Sequence, residues 1–162
     1  MTVIDIQKDL DALTMTVDSE WAAPIERVWQ LWADPRQLER WWGPPTYPAT
    51  VVDHDLRTGG TVSYYMTGPG GEQHHGWWKI VDVDAPNRLA FEDGFADDTG
   101  TPTEDMPTTQ AVATFTETGG ATRMTIASRF PSREAMEQMI EMGMEEGLRG
   151  AIGQIDAILS GG

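Results

Sequence analysis

The sequence predicts an α+β fold in which a curved antiparallel sheet of about seven strands wraps around a long C-terminal helix, with two short helices after the first strand. Three observations predict it. Runs of alternating apolar and polar residues are separated by short turns, which is typical of half-buried strands. Two short apolar stripes at helical spacing follow the first run, and a much longer stripe lies near the end of the chain. Because 162 residues are enough for one substantial core, we expect a single domain over residues 1–162.

The N-terminal elements are a strand and the two short helices. Residues 1–12 are expected to form an extension that lacks the basic start and apolar run of a secretion signal. Alternation over residues 13–21 predicts the first strand. Pro24 suits the first turn of a helix, and apolar residues follow it at spacings of three and four. An Asp-Pro dipeptide that begins at Asp34 should interrupt this helix, and the second helix should end before Gly43.

Six further strands and the long helix complete the predicted fold. Glycine- and proline-rich turns separate the strands, and short connections favour antiparallel pairing. The expected bounds of the strands are 47–56, 60–67, 74–83, 88–95, 109–117 and 121–130. The segment 97–107 is acidic and rich in Thr, Pro and Gly, so we expect a flexible loop there. After Ser132 one helix should continue to about Leu159, with several methionines on its apolar face.

Charge and composition limit the partners of the protein. The chain has 26 acidic and 11 basic residues and a formal charge of -15, which disfavours binding to nucleic acid and to anionic membrane surfaces. It has no cysteine, which excludes disulfides and thiolate metal sites. No run approaches the roughly 20 apolar residues of a membrane-spanning helix. We therefore expect no membrane insertion and a cytoplasmic location.

Four short motifs are distributed along most of the chain, from residue 27 to residue 148. They are RVWQLWADPRQLERWW at 27–42, DLRTGG at 55–60, PNRL at 86–89 and GMEEGL at 143–148. Together they resemble the family named after homologues of the activator of the heat-shock chaperone ATPase. That family is part of the START-like superfamily, also called SRPBCC, with its polyketide cyclase-like and Bet v-like members. The resemblance implies the helix-grip fold, which agrees with the order of elements predicted above.

The resemblance also implies a cavity between the sheet and the terminal helix for a small apolar or amphipathic molecule. A solidly packed core is the alternative to such a cavity. The terminal-helix motif usually has Trp where this chain has Leu148, which should widen the cavity or change its shape. The candidate ligand-binding residues are Trp41, Trp42, Tyr64, Met66, Trp78, Ile80, Asp82, Phe115, Met124, Met136, Met139, Met144 and Leu148.

Catalysis of the cyclase or dehydratase type is an alternative function. Asp82 is predicted on the same strand face as Trp78, where burial would raise its pKa. It could then act as a base together with Tyr64 or His75. Alternatively, Asp82 lies near the strand end in solvent and pairs with Arg88.

The sequence gives less information about metal sites, cofactors and protein partners. Adjacent His74 and His75 point to opposite faces of a strand, so we predict no metal site. The sequence has no phosphate-binding loop, and we expect no cofactor. The family name implies a third function, a chaperone-associated interaction module. A chaperone partner therefore stays open, and a homodimer is also possible.

Overall fold

One antiparallel sheet of eight strands forms the body of the structure, a computed structural model that describes residues 3–104 and 106–161. The strands are β1 (Val3–Asp9), β2 (Thr14–Trp21), β3 (Ala49–His54), β4 (Thr61–Thr67), β5 (Gln73–Asp84), β6 (Arg88–Ala96), β7 (Thr109–Thr118) and β8 (Ala121–Arg129). Their order across the sheet is β1-β2-β8-β7-β6-β5-β4-β3. The predicted antiparallel sheet is confirmed. Predictions for residues 1, 2, 105 and 162 lie outside the described residues.

The described residues also form five helices. These are α1 (Ile25–Ala33), α2 (Pro35–Trp41), α3 (Arg133–Glu141), α4 (Met144–Ile152) and α5 (Ile155–Gly161). The two short helices predicted after the first long strand are α1 and α2. Asp34 ends α1 and caps α2, because its carboxylate accepts a hydrogen bond from the Arg36 amide at 2.9 Å. Among the described helices, none is both long and apolar enough to cross a lipid bilayer.

The C-terminal helix is present as three consecutive segments. Ser132 caps α3 by accepting a hydrogen bond from the Ala135 amide at 3.1 Å. Gly143 follows α3 with a φ of +91°, a left-handed conformation that favours glycine, and α4 begins directly after it. Gly153 lies at the end of α4. Buried Met136 of α3 and Ile152 of α4 belong to one core with the inner face of the sheet, so the segments keep the predicted packing.

The N-terminal extension contributes a strand that we did not predict. β1 pairs with β2 along its whole length and forms one edge of the sheet. Ile4 and Ile6 are partly buried against the core, and Lys8 forms an ion pair with Glu145 of α4. Two isoleucines among charged residues are enough to hold β1 on the sheet, because an edge strand needs only one partner strand and one apolar face.

An aromatic core lies between α1, α2 and the inner face of the sheet. Trp32 of α1 is fully buried at its centre. Its ring centroid lies 4.9 Å from that of Trp41, 5.8 Å from that of Trp78 and 6.1 Å from that of Phe91. The Trp41 indole donates a hydrogen bond to the Leu31 carbonyl at 2.9 Å. These contacts fix α2 and the segment that follows it against the sheet.

Candidate functional site

A cavity of about 660 Å³ lies between the inner face of the sheet and the junction of α3 and α4. Residues of β4, β6, β7 and β8 form one wall, and residues from Met139 to Leu148 contribute to the other. The segment after α2 contributes Pro44 and Tyr47. Met142 and Glu146 line the cavity and are also exposed at the protein surface, so they mark its mouth.

Asp93 of β6 is the acidic residue on the sheet wall of this cavity. It follows Phe91 by two residues, so both side chains lie on the inner face. Its carboxylate accepts a hydrogen bond from the Tyr64 hydroxyl at 3.2 Å. Tyr64 lies on β4 and also lines the cavity. The site therefore contains a carboxyl-phenol pair within a mostly apolar surface.

Burial shifts the pKa of both partners. Burial raises the pKa of Asp93 from 3.8 to about 7, although the hydrogen bond from Tyr64 acts in the opposite direction. Burial, and then the charge of Asp93, raise the pKa of Tyr64 well above its ordinary value. At neutral pH the phenol is therefore protonated, while the carboxyl group is divided between its two protonation states. A carboxyl group of this kind can take up or release a proton near neutral pH.

Two indole N–H groups surround the Tyr64 hydroxyl. Those of Trp42 and Trp78 lie close enough to favour the ionised form of the phenol. Neither makes a hydrogen bond of good geometry with any described residue. The Trp42 and Trp78 rings are in edge contact with each other, with centroids 4.7 Å apart. The Tyr64 hydroxyl is thus held among rigid aromatic side chains.

Gly76 makes room for Tyr64, and this close approach gives a first testable prediction. Gly76 lies opposite Tyr64 on β5, and a Cβ atom there would lie 2.4 Å from the Tyr64 hydroxyl oxygen. We expect Gly76→Ala to displace the phenol and to lower the free energy of unfolding by about 1–3 kcal/mol. Urea denaturation followed by circular dichroism measures this loss.

Gly147→Ala is the matched control for this prediction. A Cβ atom at Gly147 would meet no atom within 4 Å, and the residue lies inside α4. We expect this variant to be as stable as the wild type or up to about 1 kcal/mol more stable, because alanine favours a helix more than glycine does. Equal stability of Gly76→Ala and the wild type would contradict the close packing of Tyr64 on Gly76.

The structure places part of the predicted ligand-binding set at the cavity. The residues that line it are Trp42, Tyr64, Met66, Met139, Met144 and Leu148. Others are packed in the core, each 3% exposed or less, and do not line the cavity; these are Trp41, Trp78, Ile80, Phe115, Met124 and Met136. Some of the predicted ligand-binding residues are therefore packed beside the aromatic core, and the others line the cavity.

Asp82 is not at the cavity, and its predicted orientation was wrong. Ile80 pairs with Phe91, but Asp82 pairs with Ala90, so one extra residue bulges from β5 between them. The bulge reverses the alternation of faces and turns Asp82 outward. Its side chain is 50% exposed and accepts a hydrogen bond from Arg88 at 2.7 Å. The alternative in which Asp82 pairs with Arg88 in solvent describes what is found.

The predicted catalytic combination of Asp82 with Tyr64 or His75 is not assembled. His75 lies on the outer face of the sheet, where its ring contacts that of Tyr65 at 5.4 Å between centroids. His54 is also engaged elsewhere, since its Nε2 lies 2.9 Å from the Trp32 carbonyl oxygen. Within residues 3–104 and 106–161, no three His, Asp or Glu side chains form a cluster that could hold a metal ion.

Asp93 was missed although the sequence contains a signal for it. Leu89, Phe91 and Phe95 alternate along one predicted strand, and the same alternation places Asp93 between the last two on the apolar face. A carboxylate on such a face is unusual and marks a candidate site. The predicted ligand-binding set does not contain Asp93 because that set was based mainly on apolar side chains.

A comparison with protein families gives one match over most of the chain. The family described as Activator of Hsp90 ATPase homolog 1-like protein matches residues 22–160. This range begins at the end of β2 and includes every element that lines the cavity. No curated protein matches the chain.

Solved structures similar to this chain cover almost its whole length. Protein Ms6760 from Mycobacterium smegmatis is 53% identical, with a TM-score of 0.90 over 97% of each chain. A protein from Arthrobacter aurescens is 50% identical, with a TM-score of 0.93 over 98% of this chain and 92% of that one. A Staphylococcus epidermidis protein is 28% identical, with a TM-score of 0.83 over 96% of this chain and 93% of that one.

Proposed function

The chain belongs to the Activator of Hsp90 ATPase homolog 1-like family, and on this premise we propose that it binds a hydrophobic or amphipathic small molecule between its sheet and its C-terminal helices. The cavity is the single observation that carries the proposal. Its volume of about 660 Å³ lies within the roughly 300–1,000 Å³ typical of small-molecule sites. Such sites are mostly apolar with a few polar groups, which is the composition described above.

The character of the lining favours an adaptable pocket. Met139 and Met144 come from the two helical segments on either side of Gly143, and Met66 comes from β4. Methionine side chains are flexible and polarisable, so they can pack against ligands of different shapes. Trp42 and Phe91 contribute rigid aromatic surface. We therefore propose that shape and apolar contact supply most of the affinity.

We further propose that the protein acts in the cytoplasm and without insertion into a membrane. Its formal charge of -15 opposes adsorption to anionic lipid surfaces.

Leu148→Trp tests the ligand-binding function. Leu148 lines the cavity on α4, and the resemblance of the terminal-helix motif implies that Trp can occupy this position. A larger side chain should therefore be accepted by the helix while it fills part of the cavity. We expect affinity for 1-aminoanthracene, a neutral fluorescent probe, to fall at least about 10-fold, which corresponds to about 1.4 kcal/mol. Fluorescence titration measures it, and native mass spectrometry of freshly purified protein detects any copurified molecule.

Leu159→Trp provides the matched control. Leu159 is half-buried on α5 and does not line the cavity. This variant should bind the probe as the wild type does. If Leu148→Trp also binds it with wild-type affinity, or if the wild type binds neither the probe nor any copurified molecule, the cavity is not a ligand site.

A further inference from the structure

A row of polar side chains crosses the sheet wall of the cavity. It consists of Asp93 on β6, Thr109 on β7 and Ser128 on β8, and all three line the cavity. Asp93 and Thr109 are directly opposite each other in the sheet. Ser128 lies opposite Ala111, the next residue after Thr109 on the inner face of β7. We call these three residues the polar row.

The polar row has unused hydrogen-bonding capacity. Thr109 and Ser128 are each only 4% exposed, yet within the described part of the chain neither hydroxyl makes a hydrogen bond. Tyr64 is the one described residue that hydrogen-bonds the Asp93 carboxyl group, and it does so through a single oxygen atom. Neither hydroxyl oxygen is among the described buried polar atoms that lack a partner, so both are accessible from the cavity. The row is therefore suited to a polar group that comes from outside the chain.

The charges around the cavity are one-sided. Its described lining includes the carboxyl groups of Asp93 and Glu146 but no lysine or arginine. The other titratable groups that line it are Tyr47, Tyr64 and His74. A largely buried carboxylate without a cation is unfavourable, and partial burial is also what raises the pKa of Asp93. A cationic group on a ligand would pair with the Asp93 carboxylate and remove this unfavourable contribution.

Aromatic rings add to the preference for a cation. Trp42, Phe91 and Phe95 line the cavity together with the polar row. The faces of such rings attract ammonium groups, and the attraction is stronger where water is excluded. The formal charge of -15 over the whole chain also draws cations toward the protein.

We infer that the molecule bound in this cavity is an amphipathic amine whose protonated nitrogen lies against the polar row. The inference rests on the ligand-binding function proposed above. The nitrogen would donate hydrogen bonds to the Asp93 carboxylate and to the Thr109 hydroxyl oxygen directly opposite it, and Ser128 would lie farther along the ligand. A carboxylate or phosphate group would instead face acidic side chains with no basic partner. A neutral hydroxyl group would form fewer bonds and leave the Asp93 charge unpaired.

Three probes with the same alkyl chain test the inference. Decylamine, 1-decanol and decanoate are compared at about pH 7.5 by displacement of 1-aminoanthracene, with the two ionic probes below their micelle concentrations and 1-decanol below its solubility limit. We expect decylamine to bind at least about 10-fold more tightly than 1-decanol, since hydrogen bonds to charged groups contribute about 1.5–3 kcal/mol, and decanoate to bind most weakly. Decylamine affinity should also rise about 10-fold from pH 6 to pH 8, because the amine stays charged while Asp93 ionises.

Two variants with the same change of charge locate the effect. Asp93→Asn should abolish both the preference for the amine and its rise with pH, so that decylamine and 1-decanol bind this variant with affinities within about threefold of each other. This variant keeps Tyr47, Tyr64, His74 and Glu146, so a pH effect from those groups would persist. Asp82→Asn removes a carboxylate from the outer face and should behave as the wild type does.

Different results would contradict the amine preference and the ligand-binding function. Tighter binding of 1-decanol or decanoate than of decylamine would overturn the inference and leave the ligand-binding function intact. An equal loss of amine affinity in Asp82→Asn would also overturn it, because the preference would then come from the acidic surface as a whole. Binding of none of the three probes would overturn both the inference and the ligand-binding function.

Discussion

Asp93→Asn should stabilise the protein at about pH 8 and leave its stability nearly unchanged at about pH 4. The pKa of Asp93 is about 7 in the folded protein and 3.8 in its ordinary state. Between these values the unfolded chain loses the proton that the folded chain keeps, so the contribution of this group to stability falls as pH rises to about 7 and stays low above it. We expect the variant to gain about 2–4 kcal/mol in the free energy of unfolding at pH 8. Urea denaturation at both pH values measures the difference.

Asp82→Asn is the control for this prediction as well. Asp82 is half-exposed and paired with Arg88, so removal of its charge should change stability by less than about 1 kcal/mol and in the destabilising direction. A gain for Asp93→Asn of the same size at both pH values would show that charge is not its cause. Stabilisation by loss of a polar group in a binding site is a common trade-off between stability and function.

Trp32→Ala should be the most damaging single substitution that we consider. The side chain is fully buried, its ring contacts those of Trp41, Trp78 and Phe91, and its indole lies 3.4 Å from the Met124 sulfur. Removal of such a ring leaves a large void, and we expect a loss of about 3–5 kcal/mol in the free energy of unfolding. Urea denaturation measures the loss, and near-ultraviolet circular dichroism reports the packing of the remaining tryptophans.

Trp77→Ala offers the same chemical change on the other side of the sheet. Trp77 is half-buried on the outer face, packs over Gly94 and donates a hydrogen bond to the Phe95 carbonyl at 3.0 Å. We expect a loss of about 1–2 kcal/mol, from one hydrogen bond and partial burial. If both variants lost equal stability, the aromatic core would not be centred on Trp32.

Most of the fold could be predicted because the two periodicities in the sequence are strong. Alternation with a period of two defines the long strands, and the Asp-Pro dipeptide at Asp34 divides the first two helices as expected. β1 was not predicted because its apolar face holds few residues and an edge strand tolerates charge. The interruption at Gly143 was not predicted because the apolar stripe continues across it. Only the backbone shows that this glycine adopts a left-handed conformation.

The site could be predicted less well because it depends on local irregularities. The bulge between Ile80 and Asp82 changes which residues of β5 point to the inner face of the sheet. In the sequence it is indicated only by the adjacent apolar residues Ile80 and Val81. Met136 and Met139 belong to one apolar stripe, but the first lies in the core and the second at the cavity. Sequence periodicity gives the face of a helix, whereas the shape of the opposite sheet determines where space remains.

The position of β2 in the sheet has a consequence for how the chain folds. Its neighbours are β1 and β8, and Thr14 near the start of the chain pairs with Arg129 near its end. During synthesis, one edge of β2 therefore stays unpaired until β8 has also been synthesised. Pairing between such distant segments makes folding slow, typically milliseconds to seconds. Before β8 is available, the hairpin of β1 and β2 exposes Met15 and Val17, which are buried in the complete sheet, so this segment favours aggregation while the chain is incomplete.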